Sequence, residues 1–217
     1  ALGAEIDGID LNAPLTEVMQ TELRDALSEH LVLFFRDQFI NDEAHLALAS
    51  CFGEPEVHPI RGALGDQSRL HDIIDTTKSE PDRDGWHTDV TYMGRPPCAA
   101  VLRCEETPSA GGDTLWANMQ LAYDKLSDGM KTYLANLQGF HATDGRFIDY
   151  IQRHLPEDAV EKIMKAVGAG ASHPLVRTHP VSGRKSLFVD RAYLGKIEGI
   201  SKDESVPMLE FLSSPVQ

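Results

Sequence analysis

Leu175-Val-Arg-Thr-His179 and Lys185-Ser-Leu-Phe-Val189 stand on either side of Pro180-Val-Ser-Gly-Arg184. Two runs with β-branched and aromatic residues, separated by a Pro- and Gly-containing stretch, predict a β-hairpin with its loop. Working outward, Cys98-Ala-Ala-Val-Leu-Arg-Cys104 reads as a buried strand and Asp113-Thr-Leu-Trp-Ala-Asn118 as another, joined through Pro108-Ser-Ala-Gly-Gly112. Residues 68–77 read as a strand, and residues 78–86 as a charged loop leading to His87. Helices punctuate these strands. From Thr16 to Leu31 apolar residues recur at three- and four-residue steps behind Thr16 as N-cap, and Asn41 heads a second helix that Gly53 stops. Two short helices follow near 120–126 and 127–137, while residues 2–11 and 31–35 suit strands. Strands with helices inserted between them predict an α+β fold, a β-sandwich or jelly-roll core decorated by helices, in a single domain over 1–217.

The chain has 217 residues, enough to bury a sizeable core in one domain. Its formal charge of −14 opposes generic attraction to nucleic-acid phosphates or anionic membranes, so neither is an expected partner. A small anion can still be held by a few gathered Arg and Lys side chains. Cys51, Cys98 and Cys104 are too few for a disulfide framework, which suits a reducing cytoplasm. The longest apolar run, Leu31 to Phe35, is far short of a membrane span.

Trp86-His87-Thr88-Asp89 carries the sharpest chemical signal. In an extended segment, residues two apart point to the same side, so an imidazole and a carboxylate are offered together to a metal. Non-haem Fe(II) oxygenases use two His and one carboxylate on one face and keep the remaining positions open. A bare His-x-Asp also forms ordinary surface hydrogen bonds, so the pair alone leaves both readings open. A hydrolytic metalloenzyme is disfavoured because nothing near His87 supplies an evident general base.

Gly85-Trp-His-Thr-Asp-Val-Thr-Tyr92, Pro96-Pro97, Pro108-Ser-Ala-Gly-Gly-Asp-Thr-Leu-Trp-Ala-Asn118 and His173-Pro-Leu-Val-Arg-Thr-His-Pro-Val-Ser-Gly-Arg184 with Leu187-Phe-Val189 resemble the taurine dioxygenase family. The likeness is collinear from Leu2 to about Leu212. It implies a double-stranded β-helix (jelly-roll) core with inserted and flanking helices, and an Fe(II)/2-oxoglutarate-dependent dioxygenase. Such an enzyme hydroxylates a small anion with O2. With an alkyl sulfonate such as taurine it releases succinate, CO2, sulfite and an aldehyde. By the resemblance, His87 and Asp89 are iron ligands, Thr114 helps hold 2-oxoglutarate, His58 contacts the substrate anion, and Val90, Tyr92, Phe147 and Phe188 line the substrate pocket. A homo-oligomer is expected.

Each assignment has a plainer alternative. Thr is favoured in strands for its shape, His58 before Pro59 can serve a turn, and Tyr92, Phe147 and Phe188 can be core aromatics. His141, His173 and His179 are expected to be structural. The family's second His ligand and its 2-oxoglutarate-pairing Arg follow a Trp-Asp-Asn segment; Trp86 and Trp116 are the only tryptophans here, and neither begins one. The expectation is that N-terminal residues and C-terminal strands lie outside this sequence. Arg61 and Arg83 replace a Tyr and an Asn of the taurine enzymes, which widens the substrate class to sulfate esters and aryloxyalkanoates. A metal-free binding protein with a degenerate site is the rival from another class.

Overall fold

The computed structural model describes residues 2–74 and 85–214. It divides into two compact units, the first comprising Ala1–Glu56, Cys98–Asn118 and Pro180–Ser182, the second Val57–Pro97, Met119–His179 and Gly183–Gln217.

In the first unit, β1 (Ala4–Glu5) pairs in parallel with β2 (Leu33–Phe34), and α1 (Glu17–His30) connects them. The helix begins where the sequence indicates, because the Thr16 hydroxyl accepts the Met19 N–H at 3.3 Å and so satisfies an otherwise free donor of the first turn. It ends at Leu31, whose φ of 69° turns the chain out of the helix. Asn41 caps α2 (Asp42–Ser50) in the same way, its side-chain oxygen accepting the Ala44 N–H at 2.9 Å. Leu11, Leu23 and Leu48 form the buried centre, with Ile6, Leu33, Phe35, Phe52 and Val101 packed around them.

Two of the expected strands are absent from this unit. Residues 98–104 and 113–118 form no strand, and most of their side chains, including Leu102, Leu115 and Trp116, are exposed. Short apolar runs specify a strand only when a partner edge is present to take their N–H and C=O groups. Arg103 instead fixes its segment through side-chain bonds to the Ile40 carbonyl at 3.1 Å and the Asp42 carboxylate at 2.8 Å.

The second unit contains α3 (Pro59–Ala63), α4 (Met119–Asp124), α5 (Asp128–Leu134), β3 (Gln138–His141), α6 (Gly145–His154), α7 (Glu157–Val167), β4 (Ala171–Pro174), β5 (Val176–Thr178), β6 (Lys185–Leu187), β7 (Leu194–Ile197) and α8 (Lys202–Ser213). An antiparallel sheet of order β4-β3-β7 has β3 in its centre. The predicted hairpin forms as β5 and β6, registered Val176 to Leu187 and Thr178 to Lys185. Residues 68–74 form no strand, contrary to expectation, and residues 75–84, which complete that strand and most of the expected loop, lie outside the described residues.

Two apolar clusters stabilise this unit. Leu134, Leu175, Leu187, Ile197 and Leu212 are all 2% exposed or less and gather α5, the hairpin, β7 and α8. Val90, Tyr92, Ile151, Ile163 and Val167 form the other, joining the 90–92 turn to α6 and α7. At β3, Gly139 is required by close approach: a Cβ there would lie 2.6 Å from Leu194 Cδ1 and 2.9 Å from Leu175 Cδ2. The fold is therefore mixed helix and sheet, and no helix among the described residues is long and apolar enough to cross a membrane.

Candidate metal centre

His87 and Asp89 meet as the His-x-Asp spacing predicts, although not in a strand: His87 and Thr88 are irregular and a turn begins at Asp89. His87 Nε2 lies 3.4 Å from Asp89 Oδ1. The other ring nitrogen, Nδ1, sits 2.8 Å from the Gly85 carbonyl oxygen, which can only accept; Nδ1 therefore donates. In the neutral ring that bond leaves the lone pair on Nε2, the arrangement by which a histidine ligand is usually oriented toward a metal. Both side chains reach solvent, 34% exposed for His87 and 67% for Asp89. The donor set thus fits two adjacent positions on a divalent cation. Among the described residues no group of three or more His, Cys, Asp or Glu side chains converges in a way that could hold one.

The chain beyond the pair is tightly held. Val90 has φ of 47°, rare for a β-branched residue, and its carbonyl accepts the Met93 N–H at 2.9 Å. Thr91 is fully buried; its carbonyl accepts from His173 Nε2 at 2.8 Å, and its hydroxyl lies 3.0 Å from His141 Nδ1. Asp190, 3% exposed, reaches the segment from beyond β6 and accepts the Thr88 N–H at 2.7 Å. Burial pushes the Asp190 carboxyl above its ordinary range, and N–H donors from Thr88, Tyr193 and Ala192 pull it back.

Val90, Tyr92 and Phe147 come together in one apolar cluster, with Ile60, Met93 and Tyr193 around them. Val90 and Tyr92 are 5% and 3% exposed, so they form the packed base of the region; Phe147 is partly exposed. Phe188 is not in that cluster; it stacks on His141 at 5.3 Å and lies edge-on to His173 at 5.3 Å, with the Arg177 guanidinium 4.6 Å from its ring centre. His141 and His173 are buried in this packing. Thr114 lies in the first unit, exposed and outside any strand, where a strand position was expected.

His58 caps the short helix α3 without a side-chain capping bond, and its Nδ1 is buried with no hydrogen-bond partner among the described residues. Burial, then neighbouring His71, lowers its pKa, while Asp89 opposes them and Arg61 adds to them. His71, which carries no local signal in the sequence, faces His58 with ring centres 5.8 Å apart. Arg61 turns from solvent to bind the Asp66 carboxylate, Nε at 2.7 Å and Nη2 at 2.6 Å, and its Nη1 lies 2.9 Å from His71 Nδ1. The second substituted arginine, Arg83, lies outside the described residues.

Comparison with known proteins places this mixed helix-and-sheet chain in a family. Residues 1–216 match the model of the family described as taurine catabolism dioxygenase TauD, TfdA family, and the chain belongs to it. It is an α-ketoglutarate-dependent dioxygenase by class; relatives at about 30% identity are named as sulfate ester, sulfonate and phenoxypropionate dioxygenases of this kind. An alkylsulfatase of Acinetobacter baylyi is 32% identical over 99% of this chain and 68% of its own length. A taurine dioxygenase structure from Burkholderia xenovorans superposes with a TM-score of 0.74 at 32% identity, covering 99% of this chain and 69% of that one. AAD-2, solved in complex with Mn(II) and N-oxalylglycine, gives 0.72 at 28% identity over 99% of this chain and 75% of its own.

Proposed function

We propose that the chain binds Fe(II) through His87 and Asp89 and hydroxylates a small organic sulfur oxyanion at the carbon carrying the sulfonate or sulfate group. The observation that carries this is the His87–Asp89 pair, with Nδ1 of His87 engaged by the Gly85 carbonyl and Nε2 turned to Asp89. Bound iron with 2-oxoglutarate and O2 supplies the oxidation, converting the cosubstrate to succinate and CO2 while one oxygen atom enters the substrate as hydroxyl. The protein's part is to orient. The apolar base of Val90, Tyr92 and Phe147 holds the substrate's carbon chain, and His58 offers a ring nitrogen to its anion. Thr114 and Phe188 are assigned to the 2-oxoglutarate carboxylate and the pocket wall by family resemblance. In the same reading, the β4-β3-β7 sheet and the β5–β6 hairpin are parts of a double-stranded β-helix, and a third iron ligand comes from outside the described residues.

Hydroxylation next to a sulfonate gives an aldehyde and sulfite, whereas hydroxylation next to a sulfate ester gives an aldehyde and sulfate. Sulfate esters are favoured as a second reading by the relatives named for them. The test is succinate release from 2-oxoglutarate with Fe(II) and a panel of alkyl sulfonates, alkyl sulfates and aryloxyalkanoates, with sulfite and sulfate measured separately. Substrate-coupled succinate that disappears in His87→Ala and Asp89→Ala is the expected result. Calorimetry showing no binding of Fe(II) or Mn(II) would instead support a binding protein with a degenerate site.

A further inference from the structure

We propose that Asp190 is a positioning residue for the metal-binding turn, setting the angle at which His87 and Asp89 present their side chains. The proposal rests on reading those two residues as ligands. Thr88, the residue between them, donates its N–H to Asp190 Oδ2 at 2.7 Å across 102 positions of sequence. That N–H belongs to the peptide joining His87 to Thr88, so holding it restrains ψ of His87 and φ of Thr88. Those are two of the four backbone angles between the ligands that set whether the imidazole and the carboxylate point to one metal or diverge.

The carboxylate can act as a fixed post because its other oxygen is also held. Asp190 Oδ1 accepts the N–H groups of Ala192 at 2.6 Å and Tyr193 at 2.9 Å. One buried acid therefore staples two backbone turns, 88–91 and 190–193. The Thr91 hydroxyl, 3.5 Å from Oδ2, adds a weaker contact on the same side. A carboxylate is specifically suited here, since both oxygens accept and every facing backbone group donates. An amide of the same shape would set its NH2 against a donor on one side or the other.

The turn has reason to need such a post. Val90, immediately after the ligand Asp89, is held at φ of 47°, a conformation that costs free energy and persists only where surrounding contacts over-determine it. Its side chain is buried, and Thr91 beyond it is fixed by His141 and His173. Those contacts anchor the exit of the turn. Asp190 is what anchors its middle, between the ligands themselves.

The experiment is Mn(II) titration of the full chain by calorimetry, with thermal melting of the metal-free protein beside it, for wild type, Asp190→Asn, Asp190→Ala and His87→Ala. Asp190→Asn is expected to lose about 10- to 100-fold in Mn(II) affinity, as is typical when a partner that orients metal ligands is removed, while remaining folded at the titration temperature. Asp190→Ala should lose at least as much. Asp190→Asn binding Mn(II) as wild type does, with His87→Ala having lost it, overturns the positioning role and leaves the metal site standing. His87→Ala binding as wild type overturns the metal site itself, and Asp190's role with it. Hydrogen exchange in the wild type needs no variant: the Thr88 amide should be protected, and exchange at the rate of an open loop overturns the proposal even if the variants fail to fold.

Discussion

The hydroxyl of Thr91 and Nδ1 of His141 meet at 3.0 Å with both side chains completely shielded from water. The opposite nitrogen of that imidazole, Nε2, is buried without a hydrogen-bond partner among the described residues, and the ring stacks on Phe188. Protonation would place a charge and a second donor in a space offering no acceptor. Burial, with smaller contributions from His173 and Arg177, accordingly lowers the His141 pKa from 6.5 to about 4.

This depressed value makes a prediction about acid stability. Between the ordinary value of 6.5 and about 4, His141 takes up a proton in the unfolded chain but not in the folded one. The unfolded state binds more protons there, so the contribution is complete above the unfolded pKa and is lost as pH falls toward the folded one. His141→Phe should therefore lose stability less steeply than wild type between pH 7 and pH 5. Urea midpoints of the two proteins at both pH values check this; an unchanged difference between them would mean that His141 does not govern the window.

A second prediction concerns the backbone beside that histidine. Gly170, just before β4, has φ of +105°, and a Cβ there would strike the His141 carbonyl oxygen and come within 2.9 Å of the Phe140 ring. Gly183 has φ of +69° but open space around it. Gly183→Ala should cost about 1 kcal/mol, the conformational penalty alone. Gly170→Ala adds a clash with backbone that cannot rotate away and should cost roughly 2–4 kcal/mol. Denaturant unfolding of both variants separates the two effects, and equal losses would contradict the close packing of β3 against the turn into β4.

What could be read before folding was local. Thr16 and Asn41 mark their helices because a cap is a contact across three residues, and the β5–β6 hairpin shows because its strands flank their own turn. The His87–Asp89 pair was legible for the same reason, being two positions apart. The strands expected at 98–104 and 113–118 failed because a strand is decided by its partner, and neither segment pairs with a strand among the described residues. Asp190, Thr91 and His71 passed unnoticed for a related reason: Asp190 meets Thr88 across 102 positions, and Arg61 meets His71 across ten. A polar residue closing the apolar run Leu187-Phe-Val189 was the only available hint of Asp190.

Arg61 supports the last prediction. It replaces a Tyr of the taurine enzymes, and its guanidinium is committed to Asp66 and His71. The guanidinium holds the His71 ring in place through the 2.9 Å contact at Nδ1. That ring lies beside His58, whose own proton affinity is already lowered by burial and by His71. Arg61 thus bears on His58, proposed above to meet the substrate anion, at one remove. Arg61→Gln should release the His71 ring that packs beside His58 and raise KM for the anionic substrate roughly tenfold, equivalent to about 1.4 kcal/mol. Mn(II) affinity should not change, because neither ligand is touched. Asp66→Asn, which loosens Arg61 without removing it, should shift KM in the same direction by less. If both variants keep the wild-type KM and only melt earlier, the Asp66–Arg61–His71 chain is a brace for α3 and has no part in choosing the substrate.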